Sequence, residues 1–175
     1  ALVKVKESNK AHEMIVQLSK FLRYSLDNDP VHKVSLRQEI EATRQYLNIE
    51  RTRFGSRLKL NFDVPAQLES VDVPSLILQP LVENAIKYGI APYESGGQIS
   101  IIARTEGPYL FIEVIDTGPG IKGEKISIKS AGIGLTNTDE RLKQFYGDDY
   151  ELRLENTADG GLCVTLKIPN ELLND

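Results

Sequence analysis

Apolar residues recur every three or four positions over residues 2–26: Ala11, Met14, Ile15, Leu18, Phe21, Leu22 and Leu26. That is the period of an amphipathic helix. Asp27-Asn28-Asp29-Pro30 breaks it, because a proline behind turn-forming residues disfavours helical backbone. A second helix is expected from Ser35 as N-cap, with Gln38 three residues on completing a capping box. Leu36, Ile40, Thr43, Leu47 and Phe54 share one of its faces, and Gly55 closes it. The pair reads as an α-helical hairpin whose apolar stripes need each other, the next domain or a second copy of the chain.

Beyond Gly55 the period drops to two. Leu58, Leu60, Phe62 and Val64 alternate with Arg57, Lys59, Asn61 and Asp63, a half-buried strand ended by Pro65. A helix is predicted over residues 74–88, opened by Pro74 and stopped at Gly89. Residues 99–104 and 109–115 form a hairpin around Glu106-Gly107-Pro108, followed by a polar stretch over 122–131. Gly132-Ile133-Gly134 then leads into a helix over 135–146, and strands over 150–155 and 162–168 flank the Asp159-Gly160-Gly161 turn. The order β-α-β-β-loop-α-β-β, with strands joined mostly by hairpins, predicts an α+β fold: a two-layer α/β sandwich, its mixed sheet covered by helices on one face. The division expected is a helical unit over residues 1–55 and a sheet-bearing domain over 56–175.

Composition narrows the function classes. A net charge of −4, with no basic stripe, gives no reason to expect a nucleic-acid partner. The single Cys163 excludes an internal disulfide and a multi-cysteine metal site, and its apolar strand pattern places it in the core. No run of 18 apolar residues is present. The chain starts without Met inside a helical pattern, as expected of a piece of a longer protein.

Three stretches carry chemistry. In Leu78-Gln79-Pro80-Leu81-Val82-Glu83-Asn84-Ala85-Ile86-Lys87-Tyr88, the helical spacing puts Asn84, Lys87 and Tyr88 on one face. An amide oxygen ligates Mg²⁺ well and a lysine neutralises phosphate, so the pair suits a metal–triphosphate; a solvated polar edge is the plain alternative. Strand residues Val114-Ile115 run into Asp116-Thr117-Gly118-Pro119-Gly120-Ile121, where a carboxylate fixed at a strand end meets two glycines that admit close backbone approach. By themselves these residues also read as a turn. Gly132 and Gly134 stand before a helix, whose free N–H groups bind phosphate.

In this order and spacing the three stretches resemble the N, G1 and G2 boxes of the ATP-binding domain shared by gyrase, Hsp90, mismatch-repair ATPases and sensor histidine kinases. Leu78-Gln79-Pro80-Leu81-Val82-Glu83-Asn84-Ala85-Ile86-Lys87, Tyr46-Leu47-Asn48-Ile49-Glu50-Arg51-Thr52-Arg53-Phe54-Gly55 and Leu22-Arg23-Tyr24-Ser25-Leu26 are similar to the LytS-like branch of the bacterial sensor histidine kinases. The resemblance covers nearly the whole chain. It implies ATP and Mg²⁺ as ligands. Asp116 would accept a hydrogen bond from the adenine amine, Asn84 would hold Mg²⁺, and Lys87 and Tyr88 would lie on the phosphate side. Gly118, Gly120, Ile121, Gly132, Gly134 and Leu135 would enclose the nucleotide. Glu83 joins Asn84 and Lys87 as a catalytic candidate, although it projects about a quarter-turn from Asn84. Lys122, Lys125 and Lys129 would fall in the lid.

The chain departs from the family's G1 box at Thr117 (often Asn), from the branch at Tyr88 (commonly His) and from many superfamily members at Leu162 (Thr there). It holds no Asn-Pro-His-Phe-type acceptor stretch, and His12 and His32 lack the neighbours of one. The implied phosphoacceptor histidine therefore lies upstream, and the implied partners are a response-regulator receiver domain and a second copy in the intact protein. The implied setting is the cytoplasmic part of a membrane-anchored sensor. Two other readings stand beside this one. An ATP-hydrolysing clamp would need a glutamate one turn before Asn84, where this chain has Pro80. A nucleotide-independent pseudokinase would have lost box residues that this chain retains.

Overall fold

The structure is a computed structural model that describes residues 16, 19, 32–121, 128 and 132–171. Val16 and Ser19 are helical, in keeping with the first amphipathic pattern; the rest of that helix and the break at residues 27–30 lie outside the described residues. A strand not expected from the pattern, β1 (Lys33–Ser35), comes next and pairs antiparallel with another, β3 (Asp72–Pro74). At three residues each, neither is long enough to show an alternation.

Helix α1 (Leu36–Phe54) begins at the anticipated capping box. The Ser35 side chain accepts from Gln38 N–H, and Gln38 Oε1 accepts from Ser35 N–H at 3.0 Å. Its buried stripe of Leu36, Ile40, Leu47 and Phe54 belongs to the same hydrophobic cluster as the sheet. Among the described residues that stripe meets the sheet-bearing domain, one of the three partners open to it.

The sheet has five strands in the order β2-β4-β5-β7-β6: β2 (Leu58–Asp63), β4 (Gly97–Glu106), β5 (Tyr109–Asp116), β6 (Glu151–Asn156) and β7 (Leu162–Pro169). β2 runs parallel to β4 and every other pair is antiparallel, giving the mixed sheet anticipated. Alternation sends Ile99, Ile101, Leu110, Ile112, Val114, Val164, Leu166 and Ile168 inward. Packed against them are α1, α2 (Gln79–Asn84) and α3 (Ile133–Tyr146), the last through Leu135 and Leu142. The opposite face carries half-buried polar and aromatic side chains such as Glu113, paired with Arg104 at 3.1 Å, and Tyr109, under Lys167. Cys163 lies on this outer face, 3.6 Å from Thr165 Oγ1, because the period of two that buries Val164 turns its neighbours outward. The expectation that it is a core residue is thereby corrected.

A second correction concerns the helix expected from Pro74. Pro74 closes β3, opposite Lys33, and residues 75–78 form a turn in which Leu76 takes φ 56°. The helix starts at Gln79. It also does not stop at Gly89: residues Ala85–Ile90 continue as a π-helix, closed by Ala91 N–H donating to Ile86 O at 2.8 Å.

Candidate functional site

Where the inner face of β5 runs out, the alternation that buries Leu110, Ile112 and Val114 also turns Asp116 inward, at 6% exposure. A carboxylate thus stands where core side chains end and a cleft of about 290 Å³ opens. The cleft is lined by Asn84, Tyr88 and Gly89 from the helix layer, Asp116, Pro119, Gly120 and Ile121 from the strand end, Gly132 and Leu135 from the start of α3, and Leu162 from β7. All three stretches singled out in the sequence contribute. The size lies at the lower end for small-molecule sites, about 300–1,000 Å³.

Burial pushes the Asp116 carboxyl above its ordinary 3.8, while backbone N–H groups of Gly118 and Leu162 pull the other way by favouring the carboxylate. The Gly118 N–H donates to Asp116 Oδ1 at 2.8 Å. Glycines make this packing possible. A Cβ on Gly89 would sit 2.6 Å from Asp116 Oδ1, and one on Gly118 would sit 2.5 Å from Gly89 Cα. Gly89 therefore has a steric function beyond ending a helix: it lets the π-turn lie directly on the carboxylate.

The π-turn also decides which residues face the cleft. With i→i+5 hydrogen bonds each turn is wider than in an α-helix, so the residue four on from Asn84, Tyr88, stays over it and Gly89 follows into the lining. Lys87 is turned out to an exposed position, its Nζ 4.8 Å from the centroid of the Tyr88 ring. The α-helical spacing that put Asn84, Lys87 and Tyr88 on one face does not apply beyond Ala85. Glu83 is exposed too, accepting from Gln79 Nε2 at 2.7 Å and outside the lining.

Asn84 is set differently from these. Its Nδ2 is buried and has no hydrogen-bond partner among the described residues. A buried amide with an unmet bond is costly unless something binds it. The Asn84 amide and the Asp116 carboxylate both line this cleft, one orphaned and one buried, so the residues present fit a polar ligand that spans it. An amide also suits Mg²⁺, which commonly takes one or two protein oxygens and completes its shell with phosphate and water.

Gly132, φ 101°, caps α3, and Gly134 falls within its first turn, where a Cβ would meet Pro80 Cβ at 3.5 Å and Asn84 Nδ2 at 4.0 Å. Gly120, φ 68°, serves a contact the sequence did not announce: a Cβ there would come within 2.5 Å of Asn156 Oδ1. Instead the Asn156 amide accepts from Ile121 N–H and donates to Ile121 O, both at 2.8 Å, holding this wall of the cleft in place. In the sequence Asn156 is only the end of a strand. Leu162, noted as a departure, lines the cleft and its backbone supports Asp116. Thr117 keeps a hydrogen-bonding role, accepting from Gln98 N–H at 2.9 Å. The lid lysines Lys122, Lys125 and Lys129 lie outside the described residues.

A mixed sheet under helices, with a cleft at the end of its central strand, defines a two-layer α/β sandwich with a built pocket, and the comparisons specify the family. The chain belongs to the histidine kinase-, DNA gyrase B- and HSP90-like ATPase family, whose model matches residues 71–172; a histidine kinase model matches residues 1–58. Among curated relatives it is similar to the sensor histidine kinase BtsS of Escherichia coli K12, with 36% identity over 94% of this chain and 28% of that protein. It is also similar to the sensor protein LytS of Enterococcus faecalis, with 33% identity over 95% of this chain and 30% of that protein. The chain thus spans under a third of the length of these relatives. Of solved structures, it resembles the nucleotide-free catalytic domain of histidine kinase ThkA, with TM-score 0.63 at 20% identity, over 79% of this chain and 95% of that one. It likewise resembles Acinetobacter baumannii histidine kinase AdeS, with TM-score 0.62 at 18% identity, over 97% of this chain and 81% of that one. At these identities the structural likeness concerns the fold.

Proposed function

We propose that this chain is the ATP-binding catalytic part of a sensor histidine kinase, passing the γ-phosphoryl group of ATP to a histidine outside this chain for relay to a response-regulator aspartate. The observation that carries the reading is the single cleft shared by the buried Asp116 carboxylate and the Asn84 side chain, whose buried Nδ2 has no partner among the described residues. Asp116 accepts from the adenine exocyclic amine, whereas a guanine carbonyl there would face the carboxylate and leave both acceptors unpaired. Ile121, Leu135 and Leu162 supply apolar surface for the purine. The first N–H groups of α3, which have no partners within the helix, face phosphate. Asn84 holds Mg²⁺, which when bound neutralises phosphate charge. Tyr88, in the cleft lining, serves the phosphate end, and Lys87, one residue before it and turned outward, joins it there by swinging its long side chain toward the cleft. Gly118, Gly120, Gly132 and Gly134 supply the close backbone approach around the nucleotide. Catalysis is then positioning and charge neutralisation, as phosphoryl transfer generally requires. Glu83 points to Gln79, and we assign it no part in the chemistry.

The whole protein would act as a homodimer with a receiver domain as its protein partner, and would be membrane-bound, with this part cytoplasmic. No helix among the described residues is long and apolar enough to cross a membrane. Pro80, where a clamp ATPase carries its water-orienting glutamate, favours transfer to histidine over hydrolysis. The test uses γ-labelled ATP and a protein extended upstream to include the acceptor stretch. The expected result is acid-labile, base-stable label on that protein, lost in Asn84→Ala. Steady release of phosphate without labelled protein would favour the clamp, and no nucleotide binding at all would favour the pseudokinase.

A further inference from the structure

The turn of residues 75–78 is held from two sides. From α1, the Glu39 carboxylate, 1% exposed, reaches under it: Oε1 accepts from Leu76 N–H at 2.6 Å and Oε2 from Leu78 N–H at 3.2 Å. From α3, Arg141 Nη1 donates to Ser75 O at 2.7 Å. Leu76 is the one non-glycine among the described residues with positive φ, at 56°. A branched apolar side chain in the left-handed region is strained, and such strain persists only where surrounding contacts over-determine it. The turn ends at Leu78, where α2 begins and Asn84 follows one and a half turns on. The helix that holds it from the other side, α3, carries Gly132 and Leu135 of the cleft at its start. Burial lowers the Arg141 pKa from its ordinary value, and the Glu39 charge acts to raise it, so the two ends of the grip are electrostatically linked as well.

On the reading that the cleft binds Mg-ATP, we propose that Glu39 is a positioning residue for the nucleotide site: by gripping the strained 75–78 turn together with Arg141, it fixes Asn84 relative to the start of α3. Helix α1 is then a support of the site although none of its residues lines the cleft. A carboxylate suits this task because it is acceptor-only and offers one oxygen to each N–H. In Glu39→Gln one of the two amides would face an NH₂ donor.

The experiment measures Mg-ATP affinity by calorimetry for the wild-type chain, Glu39→Gln, the double variant Glu39→Gln/Leu76→Asn and Arg141→Lys, with thermal unfolding of each. Asparagine accepts the left-handed conformation at little cost. The expected result is that Glu39→Gln weakens binding at least about tenfold while still folded at the assay temperature. Adding Leu76→Asn restores most of that loss, because the turn no longer needs the grip. A merely destabilised fold would not regain affinity through Leu76. Unchanged affinity in Glu39→Gln, or loss without rescue, overturns the proposal while wild-type binding leaves the ATP reading standing. Absence of binding by the wild-type chain overturns the ATP reading and this proposal with it. Should Glu39→Gln fail to fold, Arg141→Lys probes the same turn from α3. A several-fold loss there supports the proposal, and unchanged affinity contradicts it.

Discussion

On the proposed reading Asp116 sets the selectivity of the site, and its environment makes opposite demands on its charge. Burial raises its pKa above 3.8, so folding prefers the protonated acid. The corresponding stability is fully present below 3.8 and is lost as pH rises through the raised value. Adenine recognition has the reverse sign, since only the carboxylate accepts from the amine without also presenting a proton. Affinity is therefore lost as pH falls through the raised value. A ¹³C NMR titration of the Asp116 carboxyl should give a midpoint above 3.8 in the free protein and a lower one with ATP bound. A free midpoint at or below 3.8, or one that rises with ATP, would contradict this.

Gly89 is the other decisive residue at this scale. Alanine there puts a methyl group 2.6 Å from both Cγ and Oδ1 of Asp116. Gly89→Ala should cost about 1–3 kcal/mol in denaturant unfolding, the usual range for overpacking, and weaken nucleotide binding as well. Taken singly, Asp116, Asn84 and the box glycines read as turns or a solvated edge. Their order and spacing, through the family resemblance, singled them out, and the structure brings Asn84, Asp116, Gly120 and Gly132 around one cleft. Sequence reasoning missed Asn156 and Glu39 because each acts on backbone far away in the chain: Asn156 on residue 121, Glu39 on residues 76 and 78. A polar residue at a strand end, or inside an otherwise regular helix face, carries no local sign of such a partner. The one available hint was that Glu39 sits beside Ile40 on the buried stripe of α1.

Among the elements, the long ones were legible and the short or irregular ones were not. The ten-residue β4 and eight-residue β5 are long enough to show a period, and α1 has a capping box that fixes its start. Ser35→Ala should accordingly destabilise by about 1 kcal/mol, measured by chemical denaturation. The start of α2 was misplaced at Pro74 because proline suits both a first helical turn and a strand end. The choice was made by pairing with Lys33 and by the Glu39 grip, both long-range. The π-turn was invisible for a related reason: it exists to fit Gly89 against a residue of another element, and that fit is what turns Lys87 outward. Helix α3 offers a separable test of its own. In Gly134→Ala the new methyl group meets only ordinary contacts, 3.5 Å from Pro80 Cβ, and restricts the unfolded chain. Stability should rise by about 0.4–1 kcal/mol in thermal unfolding. Mg-ATP affinity should nevertheless fall, because the methyl group would also stand 4.0 Å from Asn84 Nδ2, beside the proposed Mg²⁺ and phosphate end. Higher affinity would show that Gly134 is there for another reason.

At the scale of the whole molecule, α1 shares one hydrophobic core with the sheet among the described residues, so the second helix of the predicted hairpin packs as part of the sheet-bearing unit. The class of fold was legible because alternation and hairpin turns specify a one-sided sheet. The membership of α1 was not, since an amphipathic stripe states that a partner exists without stating which. The molecule's central claim is an adenine-specific nucleotide site, and calorimetric titration with Mg-ATP and Mg-GTP tests it most directly, using the wild-type chain and Asp116→Asn. The amide in that variant must present its NH₂ either to the Gly118 and Leu162 N–H groups or to the adenine amine, so one side is always mispaired. Saturable binding of ATP but not GTP, weakened at least about tenfold by Asp116→Asn in a protein that still folds, is the predicted result. Equal binding of ATP and GTP, or an affinity for ATP indifferent to Asp116→Asn, would contradict it.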